Sequence, residues 1–293
     1  MKILITGSSG FIGINLLERL RKIANFQVFT LPSFMLRNAI NGKFEQEELR
    51  KLISSLAPKV VIHLAGRIKL ENSAAEFKAI FEDNALPMIH LLDALIGEQE
   101  INFIYANSGG ATYDPYCELP STEISPIRPN SAYGLSKQFA EDTLKIVATE
   151  REYRWTSLAL SNCFGDLTLK ERGFIPLIVN NILNEKVTYI RGRDTSRDFI
   201  HVEDVIEAIL LAITKPFNGR INVSANREYR LIDIFHFVAQ ALNSDNQPII
   251  SNLYPGETVR STLDNSTAKE FWNWNPQNEL YECLSILLKK LRK

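Results

Sequence analysis

Cysteine is scarce in this 293-residue chain. Cys117, Cys163 and Cys283 are too few and too scattered for a disulfide framework, and they show no metal-ligand pairing. That usage fits a reducing compartment. Excess charge is missing too. The 33 Lys and Arg against 34 Asp and Glu leave a net charge of −1, with no basic footprint for nucleic acid or an anionic membrane. No stretch reaches the ~20 apolar residues that a membrane-spanning helix needs. The apolar run Lys2–Thr6 is too short for a secretory signal and is broken at once by glycines. The expectation is a cytoplasmic protein with no metal, nucleic-acid or membrane partner. A hydrophobic content of 45% supports one large domain or two unequal ones.

Short apolar runs alternate with helical patterns through the first half. Ile3–Ile5, Gln27–Leu31, Val60–Leu64, Phe103–Tyr105 and Thr156–Leu160 read as strands. Gln46–Leu56, Asn84–Leu95 and Ser136–Ala148 read as helices between them. The alternation predicts an α/β fold, a Rossmann-type doubly wound parallel sheet with helices on both faces. Beyond Gly165 the regularity fades, and Gly173–Asn184 reads as a helix detached from the sheet. The spacing predicts a dinucleotide-binding domain from residues 1–165 and 187–213, the latter returning a strand and a helix to the sheet. Residues 166–186 and 214–293 then form a smaller, discontinuous substrate domain capping the cleft.

The first strand runs into Gly7-Ser8-Ser9-Gly10-Phe11-Ile12-Gly13, followed by apolar residues at helical spacing. Strand, glycine-rich turn and helix is the context in which such a fingerprint carries meaning. One glycine permits the tight turn, one admits a pyrophosphate against backbone, and one packs helix on strand. The phosphates would rest on the N–H groups and positive dipole of the helix start. The alternative is a plain strand–helix turn.

Tyr133-Gly134-Leu135-Ser136-Lys137 sets a tyrosine four positions before a lysine, on one helix face. A phenol titrates near ~10, and a neighbouring ammonium pulls it down by favouring the phenolate. Tyr133 is thereby a candidate proton donor and acceptor, tuned by Lys137. The spacing also occurs by chance on solvated helices.

Taken in order, these features resemble the extended short-chain dehydrogenase/reductases that act on nucleotide sugars, of the NAD-dependent epimerase/dehydratase type. The resemblance runs nearly end to end. Thr6–Gly13 is similar to the family's cofactor turn, which implies cofactor contacts at Gly7, Gly10, Phe11, Ile12 and Gly13. His63-Leu64-Ala65-Gly66 resembles the stretch beside the nicotinamide half, with Asn84 supporting it. Asn107–Tyr113 resembles the serine-rich active-site strand, and Tyr133 and Lys137 match the catalytic pair, which also adjoins the cofactor. Ser161–Gly165, Arg197–Val205 and Ala268–Pro276 are similar to three later family blocks.

The resemblance implies hydride transfer between a nicotinamide and a sugar carbon. Tyr133 supplies the proton, a general-acid step worth ~10²–10⁴-fold. One departure concerns the relay hydroxyl. The family's Ser or Thr stands four residues before the strand's closing tyrosine, and Gly109 occupies that position. Ser108 is the candidate in its place, since a glycine pair after it lets the backbone shift. Family dehydratases carry an Asp-Glu pair just beyond, whereas this chain has Gly110-Ala111, so a dehydratase is not expected.

The leading expectation is a reductase of a 4-keto-(6-deoxy) nucleotide sugar. The alternatives are a 4-epimerase with retained NAD and a non-catalytic cofactor sensor. No Asp or Glu occurs from Arg19 through Phe44 to bind a ribose 2′-OH, and Arg37 follows the second strand. That leans to NADP over NAD, unless Arg37 is a solvated charge. Arg197 is the main pyrophosphate candidate, or else a structural partner of Asp204; Asn162 and Arg260 are further substrate contacts. His63, Trp272 and Trp274 read as structural. Members of the resembling family commonly dimerise through the Tyr-Lys helix and the one after Asn84, so a homodimer is expected.

Overall fold

The strand Lys2–Thr6 is an interior strand of the main sheet, with Ile3, Leu4 and Ile5 fully buried. Apolar side chains on both faces suit a parallel strand covered by helices on both sides. This computed structural model describes residues 1–32, 35–36, 46–68, 74–166, 173–253 and 257–291; Arg37 falls outside the described residues. Gln27–Leu31 pairs along one edge of Lys2–Thr6 and Val60–His63 along the other, both parallel. The sheet continues through Asn102–Ser108, Arg154–Leu160 and Gly219–Val223, again parallel. Strand order therefore reverses at Lys2–Thr6. The crevice beyond the carboxyl ends of Lys2–Thr6 and Val60–His63 is the switch point at which such sheets bind ligands.

Helices Phe11–Leu20, Val202–Thr214 and Ser266–Trp272 cover one face of the sheet, and Gln46–Leu56, Leu86–Ala94 and Ala132–Glu150 cover the other. Gln46–Leu56 shows why these segments are helical. Leu49 and Ile53, four apart, are its buried residues, and Glu47 and Glu48 complement the dipole of its first turn. Trp272 and Trp274 are buried, their indole N–H groups donating to the carbonyls of Lys215 at 2.8 Å and Asp204 at 3.3 Å.

A second body follows. Ser196–His201 pairs with Asn162–Phe164 on one side and Glu228–Arg230 on the other. Tyr189–Arg191 pairs with Ile249–Ser251. Helices Phe174–Leu183, Leu231–Ala241 and Leu280–Leu291 close a separate core around Ile178, Phe235 and Leu284.

The expected return of a strand between 187 and 213 is corrected here. Tyr189–Arg191 and Ser196–His201 belong to the side sheets, and the sixth strand of the main sheet is Gly219–Val223. It was hidden because Arg220 and Asn222 interrupt its apolar pattern. Both are buried and satisfied by distant partners, Glu141 and Tyr113. The helix Val202–Thr214 does pack on the main sheet.

Candidate active site

The glycine turn is built by backbone pressed on backbone. Gly7 has φ +75°, and a Cβ on it would lie 2.4 Å from Ala65 N. A Cβ on Gly13 would lie 2.3 Å from the Gly7 carbonyl oxygen. The Gly10 N–H closes the turn on Gly7 O at 3.0 Å. Helix Phe11–Leu20 then starts at Gly10 with no side-chain cap and no acidic residue in its first turn. Its leading N–H groups, at Phe11 and Ile12, are left to an external acceptor in the positive end of the dipole. Bare amides at a helix start, in a turn whose Gly7 and Gly13 leave no room for a Cβ against neighbouring backbone, fit the pyrophosphate of a dinucleotide.

Across the crevice, Leu64 N–H donates to the Thr6 carbonyl at 3.1 Å. Behind it Thr6 Oγ1 and His63 Nδ1 are 2.7 Å apart, tying the two strand ends together. Burial and the charge of Lys137 lower His63 to about 3. It is a neutral fastening between strands. Asn84 holds the next stretch, accepting from Arg67 N–H at 2.6 Å and donating to Arg67 C=O and Ser136 Oγ, each at 3.0 Å. Ser136 Oγ in turn donates to the Tyr133 carbonyl at 2.8 Å. Asn84 thus couples the 64–67 stretch to the helix bearing the Tyr-Lys pair.

That helix, Ala132–Glu150, begins at Ser131, whose hydroxyl caps Gly134 N–H at 3.1 Å. A Cβ on Gly134 would meet Ala111 O at 2.1 Å, so the helix start lies directly on the turn 109–112. This approach brings the start of the helix, with Tyr133, alongside the segment that begins at Ser108. Burial pushes the phenol up to about 12, and the nearby Ser108 hydroxyl opposes that rise. The expectation that Lys137 lowers the phenol is not met. The causes acting on Tyr133 are its burial and Ser108, and the Lys137 ammonium donates to Ala106 O at 2.7 Å and lies 4.7 Å from the Tyr105 ring centre. Burial lowers Lys137 to about 7. A Cβ on Gly66 would lie 3.3 Å from Lys137 Nζ, so the lysine adjoins the 64–66 stretch.

Gly109 has a physical reason. A Cβ there would lie 2.4 Å from Leu263 Cδ1. Leu263 is buried with Tyr113 and Ala159, so a side chain at 109 would enter a packed apolar cluster.

The substrate candidates sit on the second body. Asn162 is exposed, in register with Phe199. The Arg197 guanidinium is gripped by the carbonyls of Ser196, Thr258 and Val259 at 2.7, 2.8 and 2.9 Å. Burial lowers its pKa, Glu257 counters this and Arg191 adds to it. Asp204, the alternative partner of Arg197, instead accepts from Gln277 N–H at 2.8 Å and Asn278 Nδ2 at 3.0 Å. Arg260 forms a two-pronged pair with Glu228, both bonds 2.7 Å. Its fork is engaged with a carboxylate in this arrangement.

Glu141, Arg220, Asn107 and Leu263 line the back of the site, and sequence reasoning gave them no role. Glu141 was open to notice, being four residues beyond Lys137 on the same helix face. Arg220 and Leu263 carry no local signal.

A family model, the NAD dependent epimerase/dehydratase family, matches residues 3–226. Over 97% of its length the chain is 27% identical to the UDP-glucose 4-epimerase of Mycolicibacterium smegmatis, spanning 96% of that protein. It is 26% identical to the dTDP-4-dehydro-6-deoxyglucose reductase of Escherichia coli, over 99% of this chain and 97% of the other. A crystal structure of the UDP-glucose 4-epimerase of Thermotoga maritima with UDP-glucose superposes with a TM-score of 0.88. Its identity is 26%, over 100% of this chain and 99% of that one. With a match that takes in the glycine turn, the Tyr-Lys helix and every strand of the main sheet, the chain belongs to the NAD dependent epimerase/dehydratase family.

Proposed function

We propose that this protein is a nucleotide-sugar 4-epimerase that works by reversible hydride transfer with a tightly held dinucleotide. The observation that carries the chemistry is the packing of the Tyr133 helix start on the turn that follows Ser108, with buried Lys137 one helical turn along and against Gly66. Full-length similarity to UDP-glucose 4-epimerases favours the epimerase branch. The Gly7–Gly13 turn would hold the pyrophosphate, and Leu64, Ala65, Gly66 and Lys137 would flank the nicotinamide half. When bound, NAD supplies a hydride acceptor that becomes a hydride donor.

The protein's part is to move one proton in step. Tyr133 takes it from the sugar hydroxyl during oxidation and returns it to the ketone on re-reduction. Ser108 bridges phenol and sugar oxygen. A cation brought beside the phenol lowers its pKa toward working pH. The second body supplies the substrate side: Arg197, held by neutral carbonyls, offers its charge to a pyrophosphate, with Asn162 and Arg260 at the rim. Exposed apolar side chains at Phe77, Leu135, Phe139 and Ile146, on helices Ala74–Asn84 and Ala132–Glu150, support a homodimer through that face.

A second reading, an NADP-linked 4-ketoreductase, is favoured by the lack of any acidic residue from Arg19 through Phe44. Mass spectrometry of the dinucleotide released on denaturation, with two rate assays, separates the readings. Conversion of UDP-glucose to UDP-galactose without added cofactor supports the epimerase. Consumption of NADPH with dTDP-4-dehydro-6-deoxyglucose supports the reductase. Tight dinucleotide binding with no turnover of either sugar would overturn both and favour a sensor. Tyr133→Phe should abolish turnover while leaving cofactor affinity nearly unchanged.

A further inference from the structure

Behind the strand end that carries Ser108 lies a buried ion pair that the proposed reaction does not use. Glu141 Oε1 accepts from Arg220 Nε at 2.9 Å and Nη2 at 2.6 Å, and both side chains are 8% exposed. Such a pair is weak grounds for stability, because desolvating two ions offsets most of their attraction and apolar replacements are often neutral. Its connections give it a different meaning.

Each end of the pair reaches the backbone of Ser108. Glu141 Oε2 accepts from Asn107 Nδ2 at 2.7 Å, and Asn107 Oδ1 accepts from the Ser108 N–H at 2.7 Å. On the other side Arg220 Nη1 lies 3.5 Å from Thr112 Oγ1, and the Thr112 hydroxyl donates to the Ser108 carbonyl at 2.9 Å. The pair itself has little freedom. Ser157 donates to Glu141, and Arg220 Nη2 donates to Gln138 Oε1 at 2.5 Å. The amide of Asn107 can serve in one orientation only, since its acceptor faces an N–H and its donor a carboxylate. This rigidity matters because Gly109 and Gly110 follow Ser108 directly, and glycines let the backbone wander.

We propose that Glu141 and Arg220 are positioning residues for the Ser108 hydroxyl, holding it against Tyr133 through Asn107 and Thr112. The role rests on Ser108 being the relay. A displacement of about 1 Å at a reacting centre is enough for ~10²-fold in rate.

The test uses full-length protein labelled with [ζ-13C]tyrosine, the Tyr133 resonance being assigned by its loss in Tyr133→Phe. Asn107→Ala and Glu141→Gln should move that resonance in the same direction as Ser108→Ala. With UDP-glucose as substrate they should lower kcat ~10- to 100-fold while KM stays within about twofold. In a Ser108→Ala background neither should shift the resonance or the rate further. Should Glu141→Gln fail to fold with Arg220 uncompensated, Asn107→Ala keeps the pair, cuts the link and carries the test alone. The proposal is overturned if Asn107→Ala leaves the resonance and kcat at wild-type values. Equal losses with and without the Ser108 hydroxyl would also overturn it, since that marks a general structural effect. If Ser108→Ala itself moves neither quantity, the relay reading has failed and the positioning role falls with it.

Discussion

Lys137 makes the folding stability of this protein depend on pH in a way that can be worked out. Burial lowers its ammonium from 10.5 to about 7. Below pH 7 the lysine is protonated in both folded and unfolded chains, so the full cost of burying the charge is present. Between about 7 and 10.5 the unfolded chain binds a proton that the folded one does not, and stability rises with pH. Above that window the side chain is neutral in both states and the cost is gone. A tenfold change in proton affinity corresponds to ~1.36 kcal/mol, so the whole cost is about 5 kcal/mol. About 2–3 kcal/mol of it is relieved between pH 6 and pH 9 by the same linkage. For a chain of this size that is roughly 3–5 °C in Tm.

The assay is thermal or urea unfolding of cofactor-free wild type and Lys137→Met at those two pH values. Asp198, raised to about 7 by burial, has the opposite slope, because its folded form keeps a proton that the unfolded form has lost. It is present in both chains, so the difference between them isolates Lys137. Wild type should gain about 2–3 kcal/mol more than the variant on going from pH 6 to pH 9. Superimposable pH dependences would refute the reasoning and mean that Ala106 O, at 2.7 Å, compensates the buried charge in full.

Gly13→Ala should weaken NAD binding by at least ~10-fold in calorimetry, because its Cβ would stand 2.3 Å from a carbonyl oxygen that cannot move without opening the turn. Unchanged affinity would show that the turn relaxes freely. Gly109→Ser should destabilise the fold by about 1–3 kcal/mol through overpacking against Leu263, and adding Leu263→Ala should relieve part of that loss. A fully additive double variant would argue against contact between the two. Arg197→Lys keeps the charge but cannot span the carbonyls of Ser196, Thr258 and Val259, so KM should rise ~10-fold with kcat nearly constant. A fall in kcat alone would place Arg197 at the chemistry and not at the diphosphate.

Features set by neighbours in sequence were legible before the structure. The glycine turn follows from three glycines at fixed spacing, and the Tyr133–Lys137 face follows from helical periodicity. The parallel sheet was readable from alternating apolar runs, except for Gly219–Val223. That strand escaped because Arg220 and Asn222 are satisfied by Glu141, 79 residues away, and Tyr113, 109 residues away. The tuning of the pair was misread for a similar reason. The ammonium of Lys137 is met by a backbone carbonyl from the strand Asn102–Ser108, and no side-chain pattern announces a carbonyl. The pairing of Arg260 with Glu228, 32 residues earlier, was not legible, because it crosses a fold that periodicity does not resolve.

The fit between Gly109 and Leu263 also bears on how this sequence can change over generations. A hydroxyl-bearing residue at 109 must displace a leucine methyl that stands 2.4 Å from where its Cβ would go. Shrinking Leu263 first empties a packed site, at ~2–5 kcal/mol for such a truncation. Either single step meets a loss before any gain, so the two positions trade together or stay as they are. Relatives that carry a hydroxyl at 109 should therefore carry a smaller residue at 263.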